Sequence, residues 1–396
     1  MTRQKVLTPR LMIAFITFMN MFIPLSTDLY LPALPEMGNY FSVSNSLVSL
    51  TLTIFFFIFA VSMIVAGPFC DKYGRRPVLI AGTVIYTVAS VICFTSVNIY
   101  MLLIGRFFQA IGAGAMVTIA TVLIKDCFYG DLMTKILAIT QALGVIAPMA
   151  APIIGGILLT FTSWRGAFCL LTIFGLINLI MSLLFTETLK PEQRYSGKVL
   201  ASLTLLLQVG KQKIFMLILI MFSILAAPYM AYLSVSSFIY IEFFSLTAQQ
   251  YSYLFAINSA AAVAGPILYL RLKKFMSNVK LLKLCFIISG LSGLLVLFIG
   301  HLSAIIFLCS FLIFTVIESI ARPFGMDVLL KRSKENFGTA SSMINFVPTL
   351  FGSIGMILGP MPWSNFIDGL GIIILGATFI SIILWLFVNR GDTVDL

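Results

Sequence analysis

The chain has 396 residues, of which 60% are apolar and only 10% are charged. An ordinary soluble domain carries roughly 25% charged residues, so this composition excludes a water-soluble globule and predicts an integral membrane protein. The net charge of +11 would suggest a nucleic-acid partner in a soluble chain. Here the basic residues lie in short connections between apolar runs, where they orient a protein in the lipid bilayer, and we expect no nucleic acid to bind.

Twelve apolar runs are each long enough for a helix of about 20 residues that crosses a bilayer. Basic residues precede the first run, as in a signal peptide, but the run continues through Pro24, Asp28 and Pro32 without a convincing cleavage site. It is therefore interpreted as an uncleaved first span. The runs cover about 11–33, 45–69, 77–97, 99–122, 136–160, 164–186, 212–239, 249–271, 280–299, 302–327, 337–361 and 367–389.

The positions of lysine and arginine predict the orientation of these spans. Of the 25 basic residues, 22 lie in connections on the same side as both termini, Arg165 lies alone on the other side, and Arg106 and Arg322 fall inside spans. Because basic residues concentrate on the cytoplasmic side, both termini are predicted to be cytoplasmic.

Span 1 contains a carboxylate, Asp28, in the segment STDLYLPALP. A charged residue inside a span is a functional candidate by default, because burying it in the membrane is costly. Thr17, Met21 and Pro24 share one helical face with it. This stripe predicts a group that loads and releases a proton, and an exposed helix cap at the outer surface is the alternative.

The connection between spans 2 and 3, GPFCDKYGRRP, places one acid and three bases in a short turn. As a plain basic loop it would only set the orientation, but the order G-x-x-x-D-x-x-G-R-R resembles the signature of the major facilitator superfamily. That resemblance implies a conformational gate in which the acid lies against the start of span 11, at Gly338–Ser341, and pairs with charges at the end of span 4. Pro68, Phe69 and Cys70 depart from the usual pattern. The gate residues carried over are Gly67, Asp71, Gly74, Arg75 and Asp126.

Span 4 contains Arg106 and, one turn later on the same face, Gln109. This pattern also resembles the superfamily, in which the span 4 arginine lies near the protonation site and relays protons or holds cargo. The alternative is a structural arginine that donates to backbone carbonyls.

Span 5 combines small residues with two prolines four residues apart, a pattern typical of a close and deformable helix contact. It resembles the antiporter motif of drug exporters. Together with the span 1 segment around Asp28, the form A-P-x-x-A-P-x-x-G-G resembles the Bcr/CflA drug-resistance branch, which implies proton-coupled drug export in a bacterial inner membrane. Some multidrug members carry a second acid two turns before the span 1 aspartate, where this chain has Asn20. The motif residues are Gly144, Pro148, Pro152, Gly155 and Gly156.

The most polar long connection, residues 187–211, divides six spans from six. We therefore predict an N-terminal bundle at 1–186, a cytoplasmic linker at 187–211 and a C-terminal bundle at 212–396, an all-α fold of two pseudo-symmetric halves with cargo bound between them. Residues 199–209 are apolar enough for a helix along the membrane surface, although a simple linker explains them equally well.

The C-terminal half offers an acid–base pair, Glu318 and Arg322, spaced i and i+4 on span 10. The spacing favours a structural intrahelical pair, with a coupling role as the alternative. Span 7 carries a stripe of three tyrosines and a serine that suits either core packing or an amphiphilic drug. The candidates for substrate contact over the whole chain are Met21, Asn20, Tyr30, Gln109, Tyr229, Tyr232, Ser236 and Asn258, with Tyr240 at the end of the span 7 stripe.

These features together predict a proton-driven exporter of small amphiphilic antibiotics, with Asp28 and Arg106 coupling protons to the drug. The six cysteines lack metal-site spacing and His301 is the only histidine, so we predict no metal site and no catalytic residues. Without a GxxxxGK[ST] phosphate loop, the proton gradient is the expected energy source, with no cofactor. A proton-coupled transporter of an endogenous metabolite is the alternative on the same fold, and a monomer is expected to be sufficient. A channel or a membrane enzyme would need a polar pore or a catalytic cluster.

Overall fold

The computed structural model describes residue 4 and residues 6–195, 212–332 and 337–391, and within them it contains helices and no strand. The predicted helix along the membrane surface at 199–209 lies outside the described residues. The chain divides into two compact units, Met1–Leu203 and Thr204–Leu396, so the division falls within the predicted linker. Each unit has its own buried apolar core.

The described residues of the first unit form six long helical runs, which correspond to the first six predicted spans. Their starts follow the capping residues of the sequence: Ser44, for example, accepts a hydrogen bond from the backbone N–H of Leu47, and Asn98 accepts one from Met101. The runs are α1 (Pro9–Phe41), α2 (Asn45–Tyr73), α3 (Arg75–Phe94), α4 (Ile99–Cys127), α5 (Gly130–Phe161) and α6 (Arg165–Leu184).

The second unit contains six further runs that match the remaining predicted spans. Thr247 and Gln250 form a reciprocal capping box at the start of α8. The runs are α7 (Lys213–Phe243), α8 (Ala248–Leu272), α9 (Asn278–Ile299), α10 (Ala304–Arg332), α11 (Phe337–Leu358) and α12 (Phe366–Gly391).

Ten of these runs are apolar and long enough to cross a membrane, and shorter apolar segments occur in α5 and α11, at Ile146–Phe161 and Met343–Leu358. Many large apolar side chains on the runs are exposed, among them Val88, Ile104 and Ile180. Exposed apolar rows along whole helices suit lipid rather than water. The all-helical fold of twelve runs predicted from the sequence is confirmed.

The first run of each unit is interrupted rather than straight. In α1 the helix pauses at Met21, and a second break after Asp28 leads through a 3-10 turn, Leu31–Ala33, into a final helix that ends at Phe41. In α7 the helix pauses at Leu225 and ends in a π-helical segment, Phe238–Phe243. Irregular backbone inside an apolar run is uncommon and marks positions where function is concentrated.

Candidate functional site

Asp28 is the last residue of the helical segment Phe22–Asp28, at the second break of α1. It is 4% exposed, and the hydroxyl of Thr27 donates to its Oδ1 at 2.8 Å. The salt bridges found among the described residues do not include Asp28. The carboxyl group is therefore buried in the first unit, with no cationic partner in the part of the chain that the structure describes, and it is not an exposed helix cap.

Arg106 on α4 is fully buried and likewise forms no salt bridge among the described residues. Its guanidinium donates to the backbone carbonyls of Ser26 at 2.9 Å and Thr51 at 3.3 Å. It lies 4.1 Å from the ring centroid of Phe55 and 4.9 Å from that of Tyr30. The bond to Ser26 ties α4 to α1 two residues before Asp28.

One nitrogen of this guanidinium, Nη2, is buried without a hydrogen-bond partner in the described part of the chain. The alternative of a structural arginine thus accounts for Nε and Nη1 only. A buried donor without an acceptor is destabilising, so this nitrogen is available to a further acceptor.

Of the other candidates in the first unit, Gln109 accepts from Arg106 Nη1 and donates to the hydroxyl of Ser90 at 2.8 Å. This amide therefore orients the arginine. Tyr30 is fully buried, with its hydroxyl 3.0 Å from that of Thr51. Asn20 and Met21 are half-buried at the first break of α1. Their contact with a substrate stays a prediction.

The antiporter motif on α5 packs against the second break of α1. A methyl group added at Gly155 would overlap the carbonyl oxygen of Leu29, the residue directly after Asp28. Only a glycine permits so close an approach of α5 to this backbone. Pro148 and Pro152 lie inside the helix, and Gly156 is buried. The surroundings of Gly144 lie outside the described residues.

The turn between α2 and α3 brings its predicted charges together. Arg75 donates to Asp71 at 2.8 Å and to Asp126, at the end of α4, at 3.1 Å. It also donates to the carbonyl of Cys70 at 2.9 Å. One guanidinium thus joins the ends of α2, α3 and α4. The proposed acceptor of the gate at the start of α11 stays a prediction, because the side chains of Gly338–Ser341 lie outside the described residues.

The sequence did not single out Glu187, which follows α6 and completes this cluster. Its carboxylate accepts from the backbone N–H groups of Arg75 and Arg76, both at 3.0 Å, at the start of α3. A carboxylate on the free N–H groups of a helix start is favourable for both the hydrogen bonds and the helix dipole. Thr188, next in the chain, donates to Asp126 at 3.0 Å.

Gly74 explains why the turn can hold this carboxylate. Its φ is +102°, and a Cβ at this position would lie 2.5 Å from an oxygen of Glu187. A residue with a side chain would be strained in its backbone and would displace the carboxylate. The motif glycine therefore keeps the start of α3 open for Glu187.

We expect Glu187→Ala to lower the free energy of unfolding by about 1 kcal/mol, because two N–H groups at the start of α3 lose their acceptor. Thermal unfolding of the purified protein in detergent measures the loss. Glu192→Ala is the matched control, since Glu192 is exposed in the same segment. Equal midpoints for the two variants would contradict this role of Glu187.

The second unit repeats part of this arrangement. Ala264-Gly265-Pro266 on α8 repeats Ala66-Gly67-Pro68 on α2, and a basic pair begins eight residues after the glycine in both. In the second unit Lys273 pairs with Asp327 of α10. Tyr269, at the position equivalent to Asp71, donates to Asp327 at 3.0 Å, and so does Lys331. The repeat is too short and too diverged to be evident without the paired side chains.

The stripe predicted on α7 lies mostly in the core of the second unit. Tyr232 is fully buried and stacked on Phe311 with 4.2 Å between ring centroids. Ser236 is buried with its hydroxyl 2.9 Å from that of Tyr251, and Tyr240 is also buried. Core packing accounts for the rings of these tyrosines, but the hydroxyls of Tyr232 and Tyr240 are buried with no hydrogen-bond partner among the described residues. Contact of the three positions with a substrate stays a prediction.

The second unit contains two further candidates for substrate contact, Tyr229 and Asn258. Tyr229 is half-buried, with its ring 5.8 Å from the guanidinium of Arg322. Asn258 is buried and accepts from Thr315 at 2.8 Å, while its amide nitrogen has no hydrogen-bond partner among the described residues. Arg322 donates through Nε to Glu318, as the i, i+4 spacing predicted. Their part in substrate contact stays a prediction.

Comparison with known proteins identifies the family. A model of the Major Facilitator Superfamily matches residues 11–360. The chain belongs to the major facilitator superfamily. It is accordingly a transporter of a small-molecule substrate and not an enzyme, and it is a multi-pass membrane protein.

Relatives within this superfamily cover most of the chain. The MFS-type transporter YdgK of Bacillus subtilis is 28% identical over 351 residues, 87% of each chain. A bicyclomycin resistance protein homolog of Haemophilus influenzae is 26% identical over 341 residues, 85% of each chain. Among solved structures, a D-xylose-proton symporter is similar in fold, with a TM-score of 0.75 at 15% identity over 96% of this chain and 99% of that one.

Proposed function

We propose that this transporter is a proton-coupled exporter of small amphiphilic antibiotics, such as drugs of the chloramphenicol, florfenicol or bicyclomycin type. It would work by alternating access in a bacterial inner membrane, with both termini cytoplasmic, and a monomer would suffice. The observation that carries the proposal is the buried Asp28, which has no salt bridge among the described residues and lies at a break in α1 beside the α5 antiporter motif. The bicyclomycin resistance homolog among the relatives supports the same class of cargo.

Coupling follows when protonation of Asp28 and occupancy by the drug exclude each other. A drug enters when the carboxyl has lost its proton, and protonation from the outer side expels it. The carboxylate that forms needs a stabilising donor. We assign this role to Nη2 of Arg106, which is buried with no hydrogen-bond partner among the described residues and belongs to the guanidinium that donates to the Ser26 carbonyl.

The energy available is sufficient without ATP. One proton that crosses about 100 mV and one pH unit yields about 4 kcal/mol, from roughly 2.3 for the potential and 1.4 for the gradient. This free energy sustains roughly a thousandfold gradient of a neutral drug, since each 1.4 kcal/mol is a factor of about ten.

Uphill uptake into everted membrane vesicles tests the proposal. Radiolabelled chloramphenicol should accumulate in vesicles that contain the protein when respiration acidifies their lumen, and a protonophore should release it. A permanently cationic dye should accumulate much less, because the second acid position of span 1 is Asn20. If the folded protein accumulates neither chloramphenicol nor the cationic dye, drug export is contradicted and the metabolite transporter becomes the favoured function.

A further inference from the structure

The second unit contains a partly open cavity of about 370 Å³ between α7, α10 and α11. Most of its wall is apolar, including Phe222, Met230, Ile344 and Pro348. Glu318 and Arg322 are the only charged residues that line it in the described part of the chain. Its size and its apolar wall with few polar groups are typical of a small-molecule site.

The two charged side chains differ in their surroundings. The side chain of Glu318 is 4% exposed, whereas that of Arg322 is 56% exposed. Glu318 accepts the Nε–H of Arg322, so the buried acid is neutralised by the arginine. A pair that served only to support a helix surface would not need one partner inside a cavity wall.

The terminal nitrogens of Arg322 are not used in this pair. Among the described residues no hydrogen bond involves its Nη1 or Nη2, and its guanidinium lies 5.8 Å from the Tyr229 ring centroid. The bond to Glu318 holds the Nε edge of the guanidinium, and the Tyr229 ring lies beside it. Two parallel N–H donors are thus presented in a set direction, which suits a group with two acceptor oxygens.

We propose that this cavity binds the acceptor-bearing end of a neutral or anionic amphiphile, with Arg322 donating to a nitro, sulfonyl or carboxylate group and Glu318 positioning Arg322. The apolar wall receives the remainder of the molecule. A cation is disfavoured, because Glu318, the one acid among the described residues that line the cavity, is already neutralised. The inference names the substrate class of the exporter and therefore rests on the proposed function.

Three compounds on one scaffold test the charge preference: chloramphenicol is neutral, its succinate ester is anionic, and its deacylated amine is cationic. Binding to purified protein in detergent is measured by equilibrium dialysis. The wild type should bind the neutral and anionic compounds at least about tenfold more tightly than the amine. Arg322→Lys, which keeps the charge but loses the fork, should weaken binding of the neutral compound about tenfold or more.

The variant Glu318→Gln tests whether Glu318 positions Arg322 for binding or only packs in the helix. It leaves the arginine charge unneutralised, so binding of the anionic compound should strengthen relative to the neutral one, a reversal that a merely structural pair would not produce. The double variant Glu318→Gln/Arg322→Gln leaves no buried charge, should fold, and should lose binding of both compounds. Arg271→Gln, at the exposed end of α8, is the control and should bind as the wild type.

The inference would be overturned if Arg322→Lys and the double variant bound all three compounds as tightly as the wild type. Preferential binding of the amine by the wild type would also overturn it. The proposed function is tested separately, by the uphill uptake of the drug into everted vesicles. If the protein accumulates chloramphenicol and the Arg322 variants bind it as tightly as the wild type, only the proposed binding in the cavity is refuted. A protein that shows the Arg322 dependence but no proton-driven uptake refutes the coupling alone.

Discussion

Asp28→Asn is expected to abolish uphill drug export while leaving drug binding and downhill drug exchange in place. Asparagine fills nearly the same volume and keeps an acceptor for Thr27, which donates to Asp28 at 2.8 Å. It cannot release a proton, so the roughly thousandfold gradient that one proton sustains should fall to equilibrium. Proteoliposomes with an imposed pH gradient measure the uphill accumulation, and preloaded vesicles without a gradient measure the exchange.

Glu36→Gln is the matched control for this prediction. Glu36 lies on the same helical run but is exposed, and it accepts from the backbone of Trp164. The control should keep uphill transport, which excludes a general effect of removing an acid from α1. Preserved accumulation in Asp28→Asn would refute Asp28 as the proton carrier.

Gly155→Ala is expected to reduce transport at least about tenfold and to lower stability by about 1–3 kcal/mol. The added methyl group would overlap the Leu29 carbonyl oxygen, which is backbone and cannot rotate away. Relief requires α1 to move at the residue next to Asp28. Because the change acts on the coupling site, the number of protons exchanged per drug should fall along with the rate.

Two further glycines separate packing from coupling. Gly355 of α11 meets the Ala227 carbonyl oxygen of α7 in the same way, whereas a methyl group at Gly290 would meet nothing within 4 Å. Gly355→Ala should lower stability about as much as Gly155→Ala but preserve the proton-to-drug ratio. Gly290→Ala should behave as the wild type. A wild-type ratio in Gly155→Ala would show that this contact has only a structural role.

The helices could be predicted from the sequence because membrane spans are set by a strong and local property, the length of an apolar run. The breaks at Met21 and Leu225 each lie three residues before a proline, Pro24 and Pro228. A proline lacks the N–H that would bond to the residue four positions earlier, so the sequence did carry a local signal for both breaks. Some predicted spans were also shorter than the helices. The helix α5 begins at Gly130 rather than near 136, because its first turns are too polar for an apolar run but are still helical.

The candidate site was predictable where one charged residue stands out in an apolar helix. Asp28 and Arg106 were singled out in this way, and the structure places both in the core of the first unit. That Arg106 donates to carbonyls instead of a carboxylate depends on the position of α1 against α4, which no local pattern encodes.

Residues whose role depends on distant partners were missed. Glu187 appears as one of several charges in a polar segment, and its bond to the start of α3 joins positions 112 residues apart. Asp327 likewise appears as an ordinary charge near the end of span 10 until Lys273 and Tyr269 are placed beside it. The tyrosine stripe left two roles open for a simpler reason: the spacing defines a face, but not whether that face is turned to a core or to a cavity.

Proton release on drug binding tests the central claim most directly. Chloramphenicol is added to purified protein in weakly buffered detergent solution, and a pH indicator follows the protons at neutral and mildly acidic pH. Competition at Asp28 predicts that the wild type releases up to one proton for each drug bound and that Asp28→Asn binds the drug with no release. Drug binding to the wild type without proton release, or equal release from Asp28→Asn, would contradict a proton–drug exchange through Asp28.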